Sequence, residues 1–369
     1  MLRYLFVAIV CIHGLIHLIG FAKAYCLLEV KEMSIIVTKP MGVLWLISAL
    51  LLFLYASLFA LKYTSSYVFG MVAMIFSQVL IFYFWKDARI GTIPNVMILG
   101  TCLMTYATLV FNDMVKKETI EIWNESISER NHEWQVSEWE NLPSPVKKWL
   151  QKSGALDRSK TYNGMIIQRA KMRMSPDQKK WYDASAVQYT LLDKPSFIWQ
   201  VEMNMFPGVW VMGRDKLVNG KGEMLIQLNS IFKIVNEKGV KINEGTIQRF
   251  LGEMVWFPAL AISPYVTWRP MNNRSAEATI AYNNTTGSGT FYFDENGDFE
   301  KFVAFRFKGN EQGAERKEWI LKAEAYTIFE GIRIPSQVKA EWRLETGDWN
   351  WLNLTIDKIE YNLETPVFE

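Results

Sequence analysis

Four long apolar runs fill most of the first 112 positions, and the hydrophobic pattern of the chain changes near Asn112. The runs cover residues 5–21, 43–61, 67–85 and 93–111. Each is close to the ~20 residues with which a helix crosses a ~30 Å hydrocarbon core. The pattern therefore predicts an α-helical four-span membrane bundle over residues 1–112, with both chain termini on one side of the membrane.

Residues 113–142 are predicted to form an acidic, amphipathic connector. Glutamates alternate there with Ile120, Trp123, Ile127 and Trp134 at helix-like spacing. Anionic lipid headgroups would repel these carboxylates, so we expect the connector to pack on its own domain rather than on the membrane surface. A short helix follows, with Ser144 as its N-cap.

From residue 162 onward the hydrophobic period is two, which is typical of half-buried strands. Residues 197–205 and 338–344 show this alternation most clearly. The pattern predicts about ten strands, and most connections are too short for the helical crossovers of a parallel sheet. We expect an antiparallel sheet with a hairpin turn at 294–297 and a β-bulge at Asp357 and Lys358, where the alternation changes parity.

One segment breaks the strand pattern. Residues 243–261 have apolar positions at i, i+3, i+4 and i+7, with Asn243 as a predicted N-cap and Pro258 near the C-terminal end. A single helix among many strands indicates an α+β soluble domain over residues 143–369. We predict a strongly curved antiparallel β half-barrel around this helix.

Composition limits the classes of partner and chemistry. The chain has 40 basic and 38 acidic residues, without the concentrated basic surface that nucleic-acid binding needs. Its cysteines, Cys11, Cys26 and Cys102, all lie in or beside the apolar half, so the soluble half has neither a disulfide nor thiolate chemistry. Thirteen of the 15 tryptophans lie beyond residue 112 and supply large aromatic anchors for a core or a ligand cavity.

The apolar face of the early strands is rich in methionine, a flexible side chain that is over-used where a surface must fit variable apolar ligands. With the aromatic residues of the same sheet and of the helix, this face is the candidate ligand site. An ordinary core filled with an adaptable residue is the alternative interpretation. The candidate residues are Met172, Met174, Trp199, Met203, Met205, Met212, Met224, Phe250, Met254 and Trp256.

A second candidate site is a polar cluster in one leaflet of the membrane. His13 and His17 share a face of the first helix because they are four residues apart. Such a cluster can hold a proton, a quinone or lipid headgroup, or a divalent metal. The alternative is that these residues form interhelical hydrogen bonds that fix the bundle, which is the commoner role of polar contacts inside a membrane. The predicted members are His13, His17, Gln78, Asp87 and Asn95.

The soluble half carries no recognisable catalytic or nucleotide-binding motif, and His132 is the only histidine outside the first span. Among the carboxylates, Glu253 has the most apolar predicted surroundings, beside Trp256 and Phe257. These observations favour a non-enzymatic protein, without a catalytic residue, metal or cofactor.

Orientation follows from the lysines and arginines of the short loops. Five lie on one side of the predicted bundle and four on the other. The slight excess places the C-terminal domain outside the cytoplasm. The alternative is that residues 1–24 form a cleaved signal peptide, since Ala22, Lys23 and Ala24 resemble a cleavage site, and the domain would then lie on the opposite side. The two sets are Lys23, Lys31, Lys39, Lys86 and Arg89, and Arg3, Lys62, Lys116 and Lys117.

Several segments together resemble a bacterial membrane family of unknown function that joins a small helical bundle to a β-rich domain. They are HGLIHLIGFAK at 13–23, KPMG at 39–42, DARIGTI at 87–93, LPSPV at 142–146 and YFDENG at 292–297. The resemblance implies location and architecture, and it brings no catalytic residues. In pattern, the curved sheet around a helix is also similar to the LolA-type lipoprotein-carrier fold, which implies an acyl-chain cavity.

Three functions are compatible with these features. The first is a non-enzymatic, membrane-anchored binder of lipid or another apolar ligand at the cell envelope, with a multi-pass anchor in the bacterial inner membrane and a periplasmic domain. The second is a redox or proton-coupled enzyme or transporter component that uses the intramembrane histidines. The third is a structural scaffold of an envelope complex. The bilayer, and an acyl chain or other apolar ligand, are the expected partners. The sequence does not identify a protein partner.

Overall fold

The computed structural model describes residues 1–28, 35–127, 136–155 and 161–368. Glu129, His132, Glu133 and Trp134 of the predicted connector, and Lys31 of the first loop, lie outside the described residues. The contacts divide the chain into two compact units, Met1–Phe111 and Asn112–Glu369.

Helices form the first unit. They are α1 (Leu2–Ala24), α2 (Lys39–Ala60), α3 (Ser66–Tyr83), the single turn α4 (Trp85–Ala88) and α5 (Thr92–Ile127), which continues into the second unit. Four helical stretches of the described chain are long and apolar enough to cross a membrane, judged by length and composition: Leu2–Ala24, Lys39–Ala60, Ser66–Tyr83 and Trp85–Glu125.

Small residues let α1 and α2 approach closely. A Cβ atom added at Gly20 would lie 2.4 Å from the indole of Trp45, and one at Gly42 would lie 2.3 Å from the Cβ of Ala24. Close backbone approach at small residues is the usual basis of helix packing in a membrane, where burial of apolar surface gives no driving force. These two glycines therefore fix the pairing of α1 with α2.

The end of α5 belongs to the second unit. The predicted span 93–111 and the start of the predicted connector form one continuous helix, because no glycine or proline interrupts residues 112–127. Val115, Thr119, Ile122 and Trp123 are buried along one face of this segment. On the same segment, Glu118 forms ion pairs with two cations of strand 209–218, at 3.1 Å and 2.7 Å. Residues 113–127 thus pack on the sheet.

The short helix α6 (Ser144–Ser153) begins one residue earlier than predicted, since Pro143 occupies the N-cap position and Ser144 is already helical. The helix ends at Gly154, which adopts a left-handed conformation with φ 71°. Val146, Trp149 and Leu150 are buried on one face, so α6 is anchored to the core of the second unit.

In the described part of the chain, thirteen strands form one antiparallel sheet in the order β6-β5-β4-β3-β2-β1-β13-β12-β11-β10-β9-β8-β7. The sheet is open, with β6 and β7 at its edges. The strands are β1 (Asn163–Met172), β2 (Tyr182–Leu191), β3 (Ser196–Phe206), β4 (Val209–Val218), β5 (Lys221–Leu228), β6 (Phe232–Lys238), β7 (Val266–Asn272), β8 (Ser275–Tyr282), β9 (Thr285–Phe293), β10 (Phe299–Phe307), β11 (Arg316–Phe329), β12 (Ile332–Leu344) and β13 (Gly347–Tyr361).

The predicted count of about ten strands is too low. The edge strands β6 and β7 are mostly exposed and lack the alternation of a half-buried strand, so the period-two pattern does not mark them. Two local predictions are confirmed. The turn at 294–297 joins β9 to β10, with Gly297 at φ 84°. The register of β1 with β13 skips Asp357, which is the predicted bulge.

The predicted helix over 243–261 is partly wrong. The helix α7 runs from Val240 to Gly252, and two short 3-10 turns, Glu253–Trp256 and Pro258–Ile262, replace its second half. Asn243 is not the N-cap. It lies inside the first turn, and its side-chain oxygen accepts a hydrogen bond from the backbone N–H of Gly222 at 2.8 Å.

Helix α7 packs against β4, β5 and β6 and also against β8, β9 and β10. These two groups lie near opposite ends of the sheet. A flat sheet of this strand number would spread over roughly 58 Å, whereas a helix is only about 10–12 Å wide. One helix can contact both groups only if the sheet curves around it.

Candidate functional site

A cavity of about 290 Å³ lies on the face of the sheet that carries α7. Alternate residues of six strands supply most of its wall, as the two-residue period of a strand requires. The lining residues are Met172, Met174, Trp199, Val201, Met203, Val211, Gly213, Asp215, Met224, Ile226, Arg249, Glu253, Trp256, Arg306, Trp319, Leu321, Val338, Ala340, Trp342, Trp349, Trp351, Leu352 and Leu354.

Six of the ten predicted ligand-site residues line this cavity. Met203 and Trp256 are each only 2% exposed, whereas Met174 is 49% exposed and therefore lies where the cavity opens. The methionines come from β1, β3, β5 and the turn after β1, so they form one side of the wall. The six are Met172, Met174, Trp199, Met203, Met224 and Trp256.

The other four predicted residues lie elsewhere. Met212 points to the opposite face of β4, because its neighbours Val211 and Gly213 line the cavity. Phe250 and Met254 are buried in the core between α7 and the sheet, where Phe250 stacks on Phe197. Met205 is partly buried against the core beyond the cavity.

A row of tryptophans on β11, β12 and β13 forms the other side of the wall, and the sequence prediction did not include it. Trp319 lies directly opposite Trp342, which in turn lies directly opposite Trp349. Trp351 extends the row along β13. The alternation of Val338, Ala340 and Trp342 with polar residues indicates the apolar face of β12, and it could have identified Trp342 as a member of the row.

Arg249 is the centre of a closed polar network at one end of the cavity. Its Nη1 donates to Asp215 Oδ2 (2.8 Å), its Nε to Glu253 Oε1 (2.7 Å) and its Nη2 to Gln188 Oε1 (3.1 Å). The Gln188 amide donates to the second oxygen of Glu253 at 2.7 Å. Each of these groups has a partner. Glu253, the carboxylate with the most apolar predicted surroundings, therefore serves as a counter-ion of Arg249.

Burial and charge act against each other in this network. Burial raises the pKa of the Asp215 carboxyl, against the opposing effect of the Arg249 cation. Burial also opposes the charge of Arg249, but the Glu253 and Asp215 carboxylates outweigh it and raise the pKa of the guanidinium. Arg249 therefore stays charged, and the network holds α7 against β2 and β4.

Arg306 on β10 lies in the same cavity in a different environment. Its guanidinium carbon lies 4.4 Å from the ring centre of Trp319 and 5.8 Å from that of Trp342. Among the described residues it forms no ion pair. Burial, together with the nearby Arg249 cation, lowers the pKa of Arg306 to about 10, so the side chain is positively charged at neutral pH.

The structure brings the predicted intramembrane residues together in the first unit. Nε2 of His13 lies 3.0 Å from both Ser77 Oγ and Asn95 Oδ1. The Asn95 amide donates to Ser77 Oγ and to Gln78 Oε1, and the Gln78 amide donates to Thr92 Oγ1. Ser77 was missed in the sequence because a single serine in an apolar helix carries no distinctive pattern.

His17 and Asp87 border the same region. The His17 ring contacts the rings of His13 and Trp45, with centres 4.6 Å and 4.9 Å apart, and its Nδ1 donates to the His13 carbonyl. Asp87 accepts a hydrogen bond from the Ile35 backbone N–H at 3.1 Å. His13, His17 and Asp87 all line a second cavity of about 590 Å³ in the first unit.

Both histidines keep one ring nitrogen without a hydrogen-bond partner within the described chain: Nδ1 of His13 and Nε2 of His17. The carbonyl oxygen that His17 Nδ1 contacts can only accept, so Nδ1 carries the proton and Nε2 is a free acceptor. In the parts of the chain that the structure describes, no three His, Cys, Asp or Glu residues are grouped to hold a metal ion.

The fold and the first cavity define an open antiparallel-sheet domain with an apolar pocket, joined to helices apolar enough to cross a membrane. The model of a family of unknown function, DUF6544, matches residues 133–354, and the chain belongs to this family. No curated protein matches the chain. The structure is similar to that of the LolA superfamily protein NE2245 from Nitrosomonas europaea, with 10% identity, a TM-score of 0.32, and coverage of 59% of this chain and 93% of that one. A similarity of this size carries no argument about function.

Proposed function

We propose that the protein is a non-enzymatic, membrane-anchored binder of lipid or another apolar ligand, which it holds in the cavity of the second unit. The observation that supports this most strongly is the wall of that cavity. Methionines on one side and tryptophans on the other enclose a space of about 290 Å³ with few polar groups. Apolar walls with a few placed polar groups are typical of ligand pockets.

The size of the space argues against an ordinary core. Protein interiors are close-packed, and voids larger than a water molecule are few. This cavity opens to solvent at Met174, so without an occupant its apolar wall would be in contact with water, which is unfavourable. An apolar occupant would remove much of this cost, and methionine side chains adapt readily to occupants of different shape.

In this proposal the sheet is a half-barrel around α7, and α1, α2, α3 and α5 cross the bacterial inner membrane as a four-helix bundle. The excess of basic residues in one set of loops supports a periplasmic position for the second unit. The anchor would keep the protein in the bilayer from which an apolar ligand comes.

Photocrosslinking of the full-length chain tests this function. The protein is placed in phosphatidylcholine nanodiscs with a palmitic acid analogue that carries a diazirine on its chain. After illumination and digestion, mass spectrometry maps the adducts. Adducts on β3 and β12 peptides that contain Met203 or Ala340 are expected. Adducts confined to the apolar helices and to exposed positions would contradict the proposal.

One observation favours a second function, in the first unit. The unpartnered nitrogens of His13 and His17 belong to residues that line a cavity of about 590 Å³. Free imidazole acceptors at such a place suit a hydroxyl-bearing headgroup or a metal ion, as a redox or proton-coupled component would require. Absorption spectra and metal analysis of the purified full-length protein test this. A bound chromophore or a stoichiometric metal supports it, and their absence together with an unaltered phenotype of His17→Ala counts against it.

A further inference from the structure

Arg306 is a half-buried cation for which the described residues provide no counter-ion in contact. Its Nε atom is inaccessible to solvent and has no hydrogen-bond partner in the described chain. A buried charge is costly unless it is paired and hydrogen-bonded. Stacking on Trp319 and Trp342 offsets part of that cost. The buried Nε donor is left without an acceptor in the described chain.

The carboxylates that act electrostatically on Arg306 are bound by other arginines. They are Asp215, Glu253 and Glu244. Asp215 and Glu253 are 2.8 Å and 2.7 Å from Arg249, and Glu244 is 2.7 Å from Arg316. None of them is within ion-pair distance of Arg306. The fold therefore supplies counter-ions to two neighbouring arginines and none in contact with this one.

Three tryptophans of the same wall also lack a hydrogen-bond acceptor. The indole N–H groups of Trp319, Trp349 and Trp351 are buried and have no acceptor among the described residues. An indole nitrogen and a guanidinium can only donate hydrogen bonds. Buried polar groups nearly always have partners, so several unpaired donors around one cavity indicate a missing acceptor.

The fold also lets the guanidinium of Arg306 lie close to α7. A Cβ atom added at Gly245 of α7 would lie 3.2 Å from Nη2 and 3.4 Å from Nε of Arg306. Gly245 is buried in the first half of the helix, where a side chain would otherwise press on the guanidinium. The absence of a side chain there keeps the face of Arg306 toward α7 uncrowded.

We propose that the cavity recognises a single-chain amphiphile whose oxyanion headgroup, a carboxylate or a phosphate, is bound by Arg306 and the indole N–H groups of the tryptophan row. This inference rests on the proposed function, because the apolar chain occupies the methionine side of the same cavity. Guanidinium and oxyanion match in both charge and planar hydrogen-bond geometry.

The volume supports one chain rather than two. Pockets for drug-sized ligands measure about 300–1,000 Å³, and this cavity lies at the lower limit of that range. Trp319, Trp342 and Trp349 lie opposite the methionine side, so a headgroup at the row leaves the chain beside Met172, Met203 and Met224. Met174, which is exposed at the opening, would contact the end of the ligand that leaves the cavity.

The test compares three photoreactive probes of equal chain length in the full-length protein in phosphatidylcholine nanodiscs: an alkyl carboxylate, a monoalkyl phosphate and the neutral alcohol. Wild-type protein is expected to be labelled in the cavity at least about tenfold more efficiently by one of the anionic probes than by the alcohol, the size of one charge-assisted hydrogen bond. The better anionic probe identifies the headgroup. Acetate or inorganic phosphate alone should not displace it.

Arg306→Gln should abolish the preference while labelling by the alcohol probe remains, which also shows that the variant is folded. The matched control is Arg269→Gln, which removes an exposed cation of β7 that pairs with Glu277 outside the cavity and should leave the preference intact. Arg306→Lys keeps the positive charge but lacks the planar donors of the guanidinium. This variant should therefore keep only part of the preference for the anionic probe.

Several results would overturn the inference. Equal labelling of the wild-type cavity by anionic and neutral probes would leave the proposed apolar-ligand function standing and remove the headgroup site. A preference that survives Arg306→Gln would remove the role of Arg306. Displacement of the probe by inorganic phosphate or acetate would show that the site binds the free anion. No cavity labelling by any probe would contradict the proposed function itself.

Discussion

The guanidinium of Arg306 lies over the indole of Trp319, on the neighbouring strand, with 4.4 Å between the guanidinium carbon and the ring centre. Trp319 continues into a row with Trp342 and Trp349 across β11, β12 and β13. The Arg306 cation thus lies at one end of the tryptophan row, inside a cavity whose other side is formed by methionines. This arrangement separates a polar end from an apolar end within one pocket.

Filling the cavity should block ligand binding. Ala340 is buried in the wall and lies between Leu321 and Leu352 of the adjacent strands. Ala340→Trp should reduce labelling of the cavity by the palmitic acid probe at least about tenfold, because the indole occupies the space of the chain. The smaller substitution Ala340→Leu should reduce labelling by less.

The control for this prediction is Ala281→Trp, at an exposed position of β8 away from the cavity. It should leave labelling unchanged. Overpacking of a core costs about 1–3 kcal/mol, so thermal unfolding followed by tryptophan fluorescence must show that Ala340→Trp is still folded. Undiminished labelling in a folded Ala340→Trp protein would contradict the position assigned to the ligand.

Loss of the Arg249 side chain should strongly destabilise the second unit. Arg249→Met leaves Asp215 and Glu253 buried without their cation, and the removal of one partner from a buried ion pair costs about 3–5 kcal/mol. Arg169→Gln breaks an ion pair in which the arginine side chain is 72% exposed, so its effect on stability should be much smaller. Denaturant unfolding of both variants measures the difference, and equal effects would contradict the network.

Asp298 should confer a stability that disappears in acid. Burial opposes its charge, but hydrogen bonds from Arg333 and Lys152 outweigh this effect and hold the pKa of the carboxyl below its usual range. A lowered pKa in the folded state contributes stability above the unfolded pKa of about 3.9, and this stability is lost as the pH falls through the lower folded value.

Comparison of wild-type protein with Asp298→Asn from pH 7 to pH 2 tests this prediction. The unfolding midpoint of the wild type should exceed that of the variant at neutral pH, and the gap should close below about pH 4. A gap that is the same at both ends of the range would show that the ion pairs of Asp298 do not contribute in this way.

Two glycines of the first unit should respond to alanine in opposite directions. Gly20→Ala places a Cβ 2.4 Å from Trp45, which must move, so we expect the helical unit to be destabilised by about 1–3 kcal/mol. Gly100 has no atom within 4 Å of such a Cβ. Gly100→Ala should stabilise α5 by about 0.5–1 kcal/mol. Melting of the detergent-solubilised protein measures both. Unchanged stability of Gly20→Ala would contradict the packing of α1 on α2, and destabilisation by Gly100→Ala would contradict the open space around Gly100.

The sequence was sufficient to predict the strand face of Met203 but not that of Met212. On β3, apolar and polar residues alternate, so the apolar face of the strand is evident. On β4, Val211 and Met212 are both apolar, because the cavity lies on one face of this strand and the end of α5 covers the other. A strand that is buried on both faces gives no parity signal.

The role of Arg306 could not be predicted from the sequence, because it depends on contacts between distant segments. Its place beside Trp319 follows from the register of β10 with β11, and the lack of a counter-ion follows from the partners that Asp215, Glu253 and Glu244 have elsewhere. The hydrophobic period indicates which face a residue takes. It does not indicate which strand lies opposite or which charges remain unpaired.

The central claim, that the cavity of the second unit holds a lipid or another apolar ligand, is tested most directly in cells without any added probe. Photoreactive benzoylphenylalanine replaces Met174, which lines the cavity and is 49% exposed at its opening, or Met271, which is 52% exposed on β7 and does not line it. After illumination, the intact mass of the purified full-length protein is measured. A lipid-sized adduct is expected at position 174, and it should be absent or much weaker at position 271. No adduct at position 174, or equal adducts at both positions, would contradict the binding of an apolar ligand in this cavity.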